Sequence, residues 1–344
     1  MYNNNTTAQP DNYDFVPFPS SVNNTYVNDI QNRRGPNSGY AEIEITTVDN
    51  LYIGSGFSHY ESGKGILSET QKIIPASSLK GAVRQVARAV SDGCIPQDKI
   101  AVPVFKGDGS RIIKPDYRKI KYPVFDANNR RIYNLRKGFN MNPISVFLLN
   151  EQRKVCSINW DKYKKKQEIN LCIVCDMFGR MSIGSKVRFT DFKAEECSTE
   201  SVDVTSQFSP DTAAEKYWER KNGRILYKGY KFYKTVCENR SGNLQSISAI
   251  KKNVAFKGRV YFSNLTDEQL KLLLFSLGIG GNIFLKLGGY KADGLGTVKT
   301  TCSKLFLNGK EENPDKYAAD YASKDTVRIK KLRSILRNPE EVSR

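Results

Sequence analysis

Two stretches of alternating apolar and polar residues, each leading toward an amphipathic helical segment, constrain the fold of this chain more than any other feature. Residues 40–48 read Tyr-Ala-Glu-Ile-Glu-Ile-Thr-Thr-Val, with Ile43 and Ile45 flanked by polar side chains, the period of a half-buried strand. After a Gly/Ser-containing loop over residues 53–65, Pro75 and Ser77-Ser78 start a helix whose Leu79, Val83, Val86 and Val90 share one face. The pattern returns at residues 254–262, and Asn264-Leu265-Thr266-Asp267-Glu268-Gln269-Leu270 then offers a cap and an acidic first turn. The helix that begins there carries Leu270, Leu273, Leu274 and Leu277 on its apolar side. Further strands are expected at residues 186–192 and 296–302. The order strand, helix, strand, variable middle, strand, helix, strand fits an α+β fold: a β-α-β-β-α-β, ferredoxin-like (RRM-like) core with large insertions.

The rest of the 344 residues divides around that core. Residues 1–38, rich in Asn, Pro, Ser and Thr, form an N-terminal arm whose aromatic-Pro patch at 13–19 suits docking onto another surface. Residues 39–93 make the first part of the core. Residues 94–184 carry many basic and aromatic side chains but no core periodicity, which marks an insertion. The core resumes over 185–307, with a variable middle and a Gly-rich loop. Residues 308–344 read as a charged tail, helical or disordered, that includes Arg328-Ile329-Lys330-Lys331-Leu332-Arg333.

Charge points to the class of partner. The chain has 54 Lys and Arg against 36 Asp and Glu, a formal +18, and neutralising a phosphate backbone is the commonest use of such a field. Lys80, Arg84 and Arg88 recur every four residues opposite the apolar face of the first helix, beside Ser77 and Ser78, where helix N–H groups attract phosphate. No run reaches the roughly 18–20 apolar residues of a membrane span, so a cytoplasmic protein with no membrane partner is expected. The single histidine, His59, excludes any mechanism that needs two. Seven cysteines at irregular spacing suit thiols or metal ligands better than a disulfide framework. Cys172 and Cys175 have zinc-knuckle spacing, with Cys94 and Cys156 upstream and Cys197 downstream. No second Cys-x-x-Cys exists, so separate reduced thiols and a structural zinc both stand as readings.

Three motifs occur in order: Ile74-Pro75-Ala76-Ser77-Ser78-Leu79-Lys80-Gly81, then Asp176-Met177-Phe178-Gly179 with Ser185-Lys186-Val187-Arg188-Phe189-Thr190-Asp191, then Leu287-Gly288-Gly289-Tyr290-Lys291-Ala292-Asp293-Gly294-Leu295-Gly296. Over roughly residues 40–305 this combination resembles the RAMP (repeat-associated) superfamily of CRISPR-associated proteins. Its type III backbone subunits show I-P-G-S-S-L-K-G, a Phe-Gly with an S-x-V-x-F-x-D strand, and a Gly/basic loop; here Ala76 replaces the usual Gly. Residues 13–17 and Gly229-Tyr230-Lys231-Phe232-Tyr233 look like features of one type III branch, in which a Cys-x-x-Cys is also familiar. The resemblance implies an RNA-binding backbone subunit, stacked along guide RNA beside copies of itself and other effector subunits, supporting target RNA recognition. It also implies a thumb, for which residues 111–137 are the candidate. The expected RNA-binding residues are Ser77, Ser78, Lys80, Arg84, Arg88, Lys286, Gly288, Gly289 and Lys291. At the glycines, missing Cβ atoms let backbone N–H groups approach phosphate.

Catalysis is where this sequence departs from that pattern. The family's subunits often cut target RNA with an Asp between the first strand and first helix, yet residues 51–75 hold only His59, Glu61 and Glu69. Asp108, Asp116 and Asp126 in the insertion are not distinguishable as substitutes. An RNA-binding chain with no nuclease activity of its own is therefore expected. Two alternatives remain: an RNA-processing endoribonuclease of the same superfamily using His59, with Glu61, as acid or base, and a generic structural RNA-binding protein.

Overall fold

The computed structural model describes residues 12–20, 23, 25–29, 33–61, 65–94, 156–160, 167–180, 183–206, 218–221, 224–237 and 243–341, with four short strands between 104 and 133. In chain order the elements that shape the site begin with β1 (Tyr13–Val16), β2 (Asn37–Thr47), β3 (Gly54–Glu61), β4 (Gly65–Thr70), β5 (Ile73–Ile74) and α1 (Ala76–Val90). They continue with α2 (Ile173–Phe178), β6 (Val187–Phe189), β7 (Phe192–Lys193), β8 (Thr199–Thr205), β9 (Tyr230–Tyr233), β10 (Leu244–Ile250), β11 (Ala255–Leu265) and α3 (Asp267–Ser276). The last are β12 (Leu285–Lys286), β13 (Thr297–Leu307), β14 (Lys310–Glu312), α4 (Pro314–Ala322) and α5 (Val327–Ile335).

The fold is mixed α+β, and its central sheet is antiparallel, in the order β12-β13-β2-β11-β7-β5, with β6 also on β11 and β14 on β13. Alternation in β2 sets which side is core: Ala41, Ile43 and Ile45 are buried while Tyr40, Glu42 and Glu44 are half-exposed. Phe256, Val260 and Phe262 of β11 and Val298 and Leu305 of β13 join the same cluster. Covering that face are α1, through Leu79, Val83, Val86 and Val90, and α3, through Leu270, Leu273, Leu274 and Leu277 at its end. The cap expected for α3 is supplied by Thr266, whose hydroxyl accepts from Gln269 N while the Gln269 side chain accepts from Thr266 N. The second, smaller sheet, β8-β10-β4-β3, packs Val204, Ile247 and Ala249 against Leu295 of the Gly-rich loop.

Three expectations need correction. In the segment expected as a loop, residues 54–61 form β3, which pairs with β4, and β4 lies parallel to β10. The Gly-Ser-Gly-Phe-Ser-His sequence of β3 has no apolar alternation, so pairing with β4, extended by β10, decides its form. The charged 308–344 segment is no tail. Ala318, Tyr321, Ile329, Leu332 and Ile335 are buried, the Tyr321 ring lies 5.4 Å from Phe275, and its hydroxyl donates to Val90 O at 3.3 Å. The dense outer charges hid this apolar face. Finally, the arm's aromatic patch docks on its own chain: β1 pairs with β9, from Tyr13 opposite Tyr233 to Val16 opposite Tyr230. The expected thumb at 111–137 lies outside the described residues except for its short strands.

Gly258 shows how tightly the core is closed. It sits on the buried side of β11, where a Cβ would lie 2.7 Å from the ring of Phe192, itself fully buried. Gly258→Val is expected to destabilise the fold by about 1–3 kcal/mol through overpacking, read as a lowered urea midpoint; an unchanged midpoint would mean that the ring can move aside.

A cleft between two motifs and a cluster of four cysteines

The first two sequence motifs interlock. Pro75 cannot cap α1 with a side chain; instead Asp191, the last residue of the second motif, accepts from Ala76 N at 2.8 Å. A carboxylate at a helix start offsets the unpaired N–H groups and the helix dipole. Lys80 answers in the other direction: its ammonium donates to Ser185 Oγ at 2.8 Å and Val187 O at 3.1 Å. Arg84 donates to Gly179 O at 2.7 Å. The stripe expected to grip phosphate thus turns toward the second motif, and neither Lys80, Arg84 nor Arg88 lines the cleft described next. Helical spacing told which residues share a face, but not what packs on it.

The third motif folds back on itself. Gly288 has a left-handed φ of 74°, and a Cβ there would lie 2.0 Å from Tyr52 O, which accepts from Gly289 N at 2.8 Å. Lys286 is 8% exposed and donates to Gly294 O at 2.7 Å and Leu295 O at 3.1 Å. Lys291 donates to Gly288 O at 2.5 Å, and buried Asp293 accepts from the Thr205 hydroxyl at 2.6 Å. Burial pulls Lys286 down to about 8 against the opposing pull of Asp49, 3.9 Å away, and also lowers Lys291. The loop's cations therefore brace its own carbonyls, with their charge held just beneath the surface.

Between this loop and the start of α1 opens a cleft of about 750 Å³. Ser77, Ser78, Lys286, Gly288, Gly289 and Lys291 all line it, so six of the nine expected RNA-binding residues are brought together. Gln71, Gln85, Lys231 and Tyr233 complete the polar lining and were missed as site residues. The only signal for them was the alternating Tyr230-Lys231-Phe232-Tyr233, which lies in β9 and is held by the arm. Lys231 Nζ sits 3.9 Å over the Tyr13 ring and 4.7 Å over Tyr233. His59 stands elsewhere, on the exposed hairpin, its Nδ1 3.0 Å from Glu69 Oε1. The Glu61 side chain and Asp108, Asp116 and Asp126 fall outside the described residues.

Cys94, Cys156, Cys172 and Cys175 converge in a buried cluster whose sulfurs all lie within 4.8 Å of one another; Cys197 is not part of it. Four sulfurs around a tetrahedral ion with 2.3 Å bonds lie about 3.8 Å apart, so this set could hold a metal. Cys172 caps α2 by accepting from Cys175 N at 3.4 Å, as Cys156 does from Cys172 N at 3.0 Å. The hydrogen bond from Cys156 pulls the Cys172 thiol down, and its counterpart pushes Cys156 up. Positive charge stands near the sulfurs: burial lowers the Arg84 pKa, and the neighbouring Cys175 and Cys94 pull it the other way. The buried Nε atoms of Arg84 and Arg88 have no partner among the described residues, which suits a site that carries surplus negative charge. Next to Cys175, fully buried Asp176 binds Arg33 Nε, Lys186 Nζ and Gln269 Nε2, each at 2.7 Å.

A family model described as the RAMP superfamily matches residues 44–299. No curated protein matches the chain. Among solved structures, the crystal structure of Thermofilum pendens Csc2 aligns with 90% of this chain and 82% of its own length, at 14% identity and a TM-score of 0.32.

Two outcomes follow from this geometry. Asp176→Ala leaves Lys186 and Arg33 without their buried partner and is expected to cost about 3–5 kcal/mol, measured by urea unfolding. Lys286 binds its proton less tightly folded, near 8, than unfolded, near 10.5. Between those values the unfolded chain holds more protons, so stability relative to Lys286→Met should rise with pH across that window. A flat difference would place Lys286 outside its buried bonds.

Proposed function

The chain belongs to the RAMP superfamily, and on that premise we propose that it is an RNA-binding backbone subunit of a type III CRISPR effector complex. The observation that carries this reading is the cleft: Ser77 and Ser78 of the first motif face Gly288 and Gly289 of the third, with Lys231, Lys286 and Lys291 around them. Hydroxyls at a helix start that face a wall backed by lysines hold phosphate without reading sequence, while Gly288 and Gly289 let that wall pack on Tyr52, to which Gly289 N donates. The strand order β13-β2-β11-β6/β7, with α1 and α3 on one face, supports reading the core as β-α-β-β-α-β, ferredoxin-like (RRM-like). The partners are guide RNA, target RNA and other effector subunits, copies of this chain among them, in the cytoplasm.

The four cysteines are read as a closed structural zinc site. Four thiolates and no open position leave such a metal no role in cleavage, and its work is to staple residues 94 and 156 of the insertion to α2. The isolated chain is expected to bind RNA without cutting it. A second reading has one observation in its favour: Glu69 orients the His59 imidazole at 3.0 Å, the arrangement a general base uses. Defined cleavage of RNA that His59→Ala abolishes, with affinity intact, would replace the non-catalytic reading by that one.

RNA recovered with the purified chain should show discrete lengths with a common 5′ repeat tag, and heterogeneous cellular RNA would favour generic binding. Replacing Lys231 by Met should weaken RNA binding across sequences and flatten its salt slope by about one phosphate, while Lys286→Met and Lys291→Met should change the slope less, because both ammonium groups also hold the loop's carbonyls. Lys80→Met, by contrast, should lower stability and leave the slope unchanged. Elemental analysis should find about one zinc per chain, absent from Cys172→Ser protein, which should also be less stable; metal-free protein of undiminished stability would remove the zinc claim.

A further inference from the structure

The outward face of the central sheet carries a row of side chains that neither the cleft nor the cysteine cluster uses. Tyr261 on β11, Tyr40 on β2 and Phe306 on β13 are register partners across three neighbouring strands. Arg188 of β6 continues the row beyond Tyr261, and Glu311 of β14 beyond Phe306. The ring centroids of Tyr40 and Phe306 lie 5.5 Å apart with planes at 28°, and those of Tyr40 and Tyr261 lie 6.0 Å apart. The next row, Arg259, Glu42 and Lys304, runs alongside. From it Arg259 reaches over the Tyr40 ring at 5.3 Å and Lys304 over Phe306 at 6.0 Å. Tyr261 remains 39% exposed. Both helices of the core lie on the opposite face.

Cross-strand aromatic packing alone would account for a ring pair, but not for three rings held in register and edged by guanidinium and ammonium groups on a sheet face that no described helix covers. Aromatic side chains on adjacent strands of a four-stranded sheet are a general means of stacking unpaired bases. The charges on this face are nearly balanced locally. Glu42 bonds Arg259 at 2.6 Å, Glu195 bonds Lys257 at 3.2 Å, and Glu311 meets Lys304 at 3.4 Å. A ligand here therefore gains little from phosphate and must bind through its flat, apolar faces, with Arg188 and Arg259 adding planar cations that stack.

We infer that Tyr40, Tyr261 and Phe306 form a stacking platform for unpaired bases of single-stranded RNA, on a different face from the phosphate-gripping cleft. This rests on the reading of the chain as an RNA binder and adds to it a base-contacting site. Together the two surfaces would hold a strand by its backbone at one place and by its bases at another.

The test compares the full-length chain with the triple variant Tyr40→Leu/Tyr261→Leu/Phe306→Leu, which keeps apolar bulk but removes the π faces, and with Tyr261→Leu alone in case the triple variant fails to fold. Binding of a fluorescein-labelled single-stranded oligoadenylate and of an abasic strand of the same length is titrated at several salt concentrations. The expected result is about tenfold weaker oligoadenylate binding by the triple variant and a smaller loss for the single one. The salt slope stays unchanged, and the abasic strand binds all three proteins alike. If wild type binds oligoadenylate with a steep salt slope and the leucine variants match it, the platform is overturned while the cleft reading stands. If wild type binds neither strand, the RNA reading falls, and the platform with it. If the variants bind RNA as wild type does but lose self-association in sedimentation, the face is a protein interface, and the inference is overturned.

Discussion

A single buried carboxylate ties together parts of the chain that have no other reason to meet. Asp176 is fully buried, and its charge is tolerable only because Arg33 from the arm, Lys186 at the entrance to β6 and Gln269 from the first turn of α3 all bond it. Burying a carboxylate costs several kcal/mol unless such partners are in place, so the site forms only when all four segments arrive. Gln269 does double duty, since its side chain also closes the cap of α3. Arg33 further donates to Asp176 O and Gly184 O, which fixes the turn after α2 and, with it, the cysteines.

From this hub the dependence runs outward. The turn positions Ser185 for Lys80, and the strand that follows brings Asp191 to the start of α1. A correctly started α1 presents Ser77 and Ser78 to the cleft, while the opposite wall is fixed separately by Asp293 on Thr205 and by Gly289 on Tyr52. The third wall is β9, which the arm braces: β1 pairs with β9, Asp14 meets Lys331 at 2.5 Å, and the Asn12 amide donates to Ala292 O at 2.9 Å. The cleft is thus braced by segments near both ends of the chain.

Five of the cations around the motifs are held inside the molecule, which changes how a basic stripe should be weighed. Lys80, Arg84, Lys186, Lys286 and Lys291 all donate to carbonyls, a hydroxyl or a buried carboxylate. At the cleft these cations leave a positive field just beneath the surface, in keeping with the proposed grip on a phosphate backbone. The outward sheet face, with its paired charges and its rings, offers the complementary chemistry.

The sequence by itself determined the core. Period-two runs at residues 40–48 and 254–262 and the helical faces of Leu79–Val90 and Leu270–Leu277 are local patterns, and local patterns survive into structure because burial rewards them directly. It also brought the cysteine cluster within reach: Cys172 and Cys175 are a spacing signal that left two of Cys94, Cys156 and Cys197 to complete the set, and the structure set Cys197 aside. Only the tertiary structure decided the rest. The direction of the Lys80, Arg84 and Arg88 stripe depends on α2 packing beside it, the pairing of β3 with β4 is extended by β10, the burial of Ala318 and Tyr321 depends on α3, and that of Ile329 on α1 and β1. Each joins segments remote in sequence, whose partners no window of residues contains, and it is that long-range packing that turned candidate phosphate ligands into structural ties.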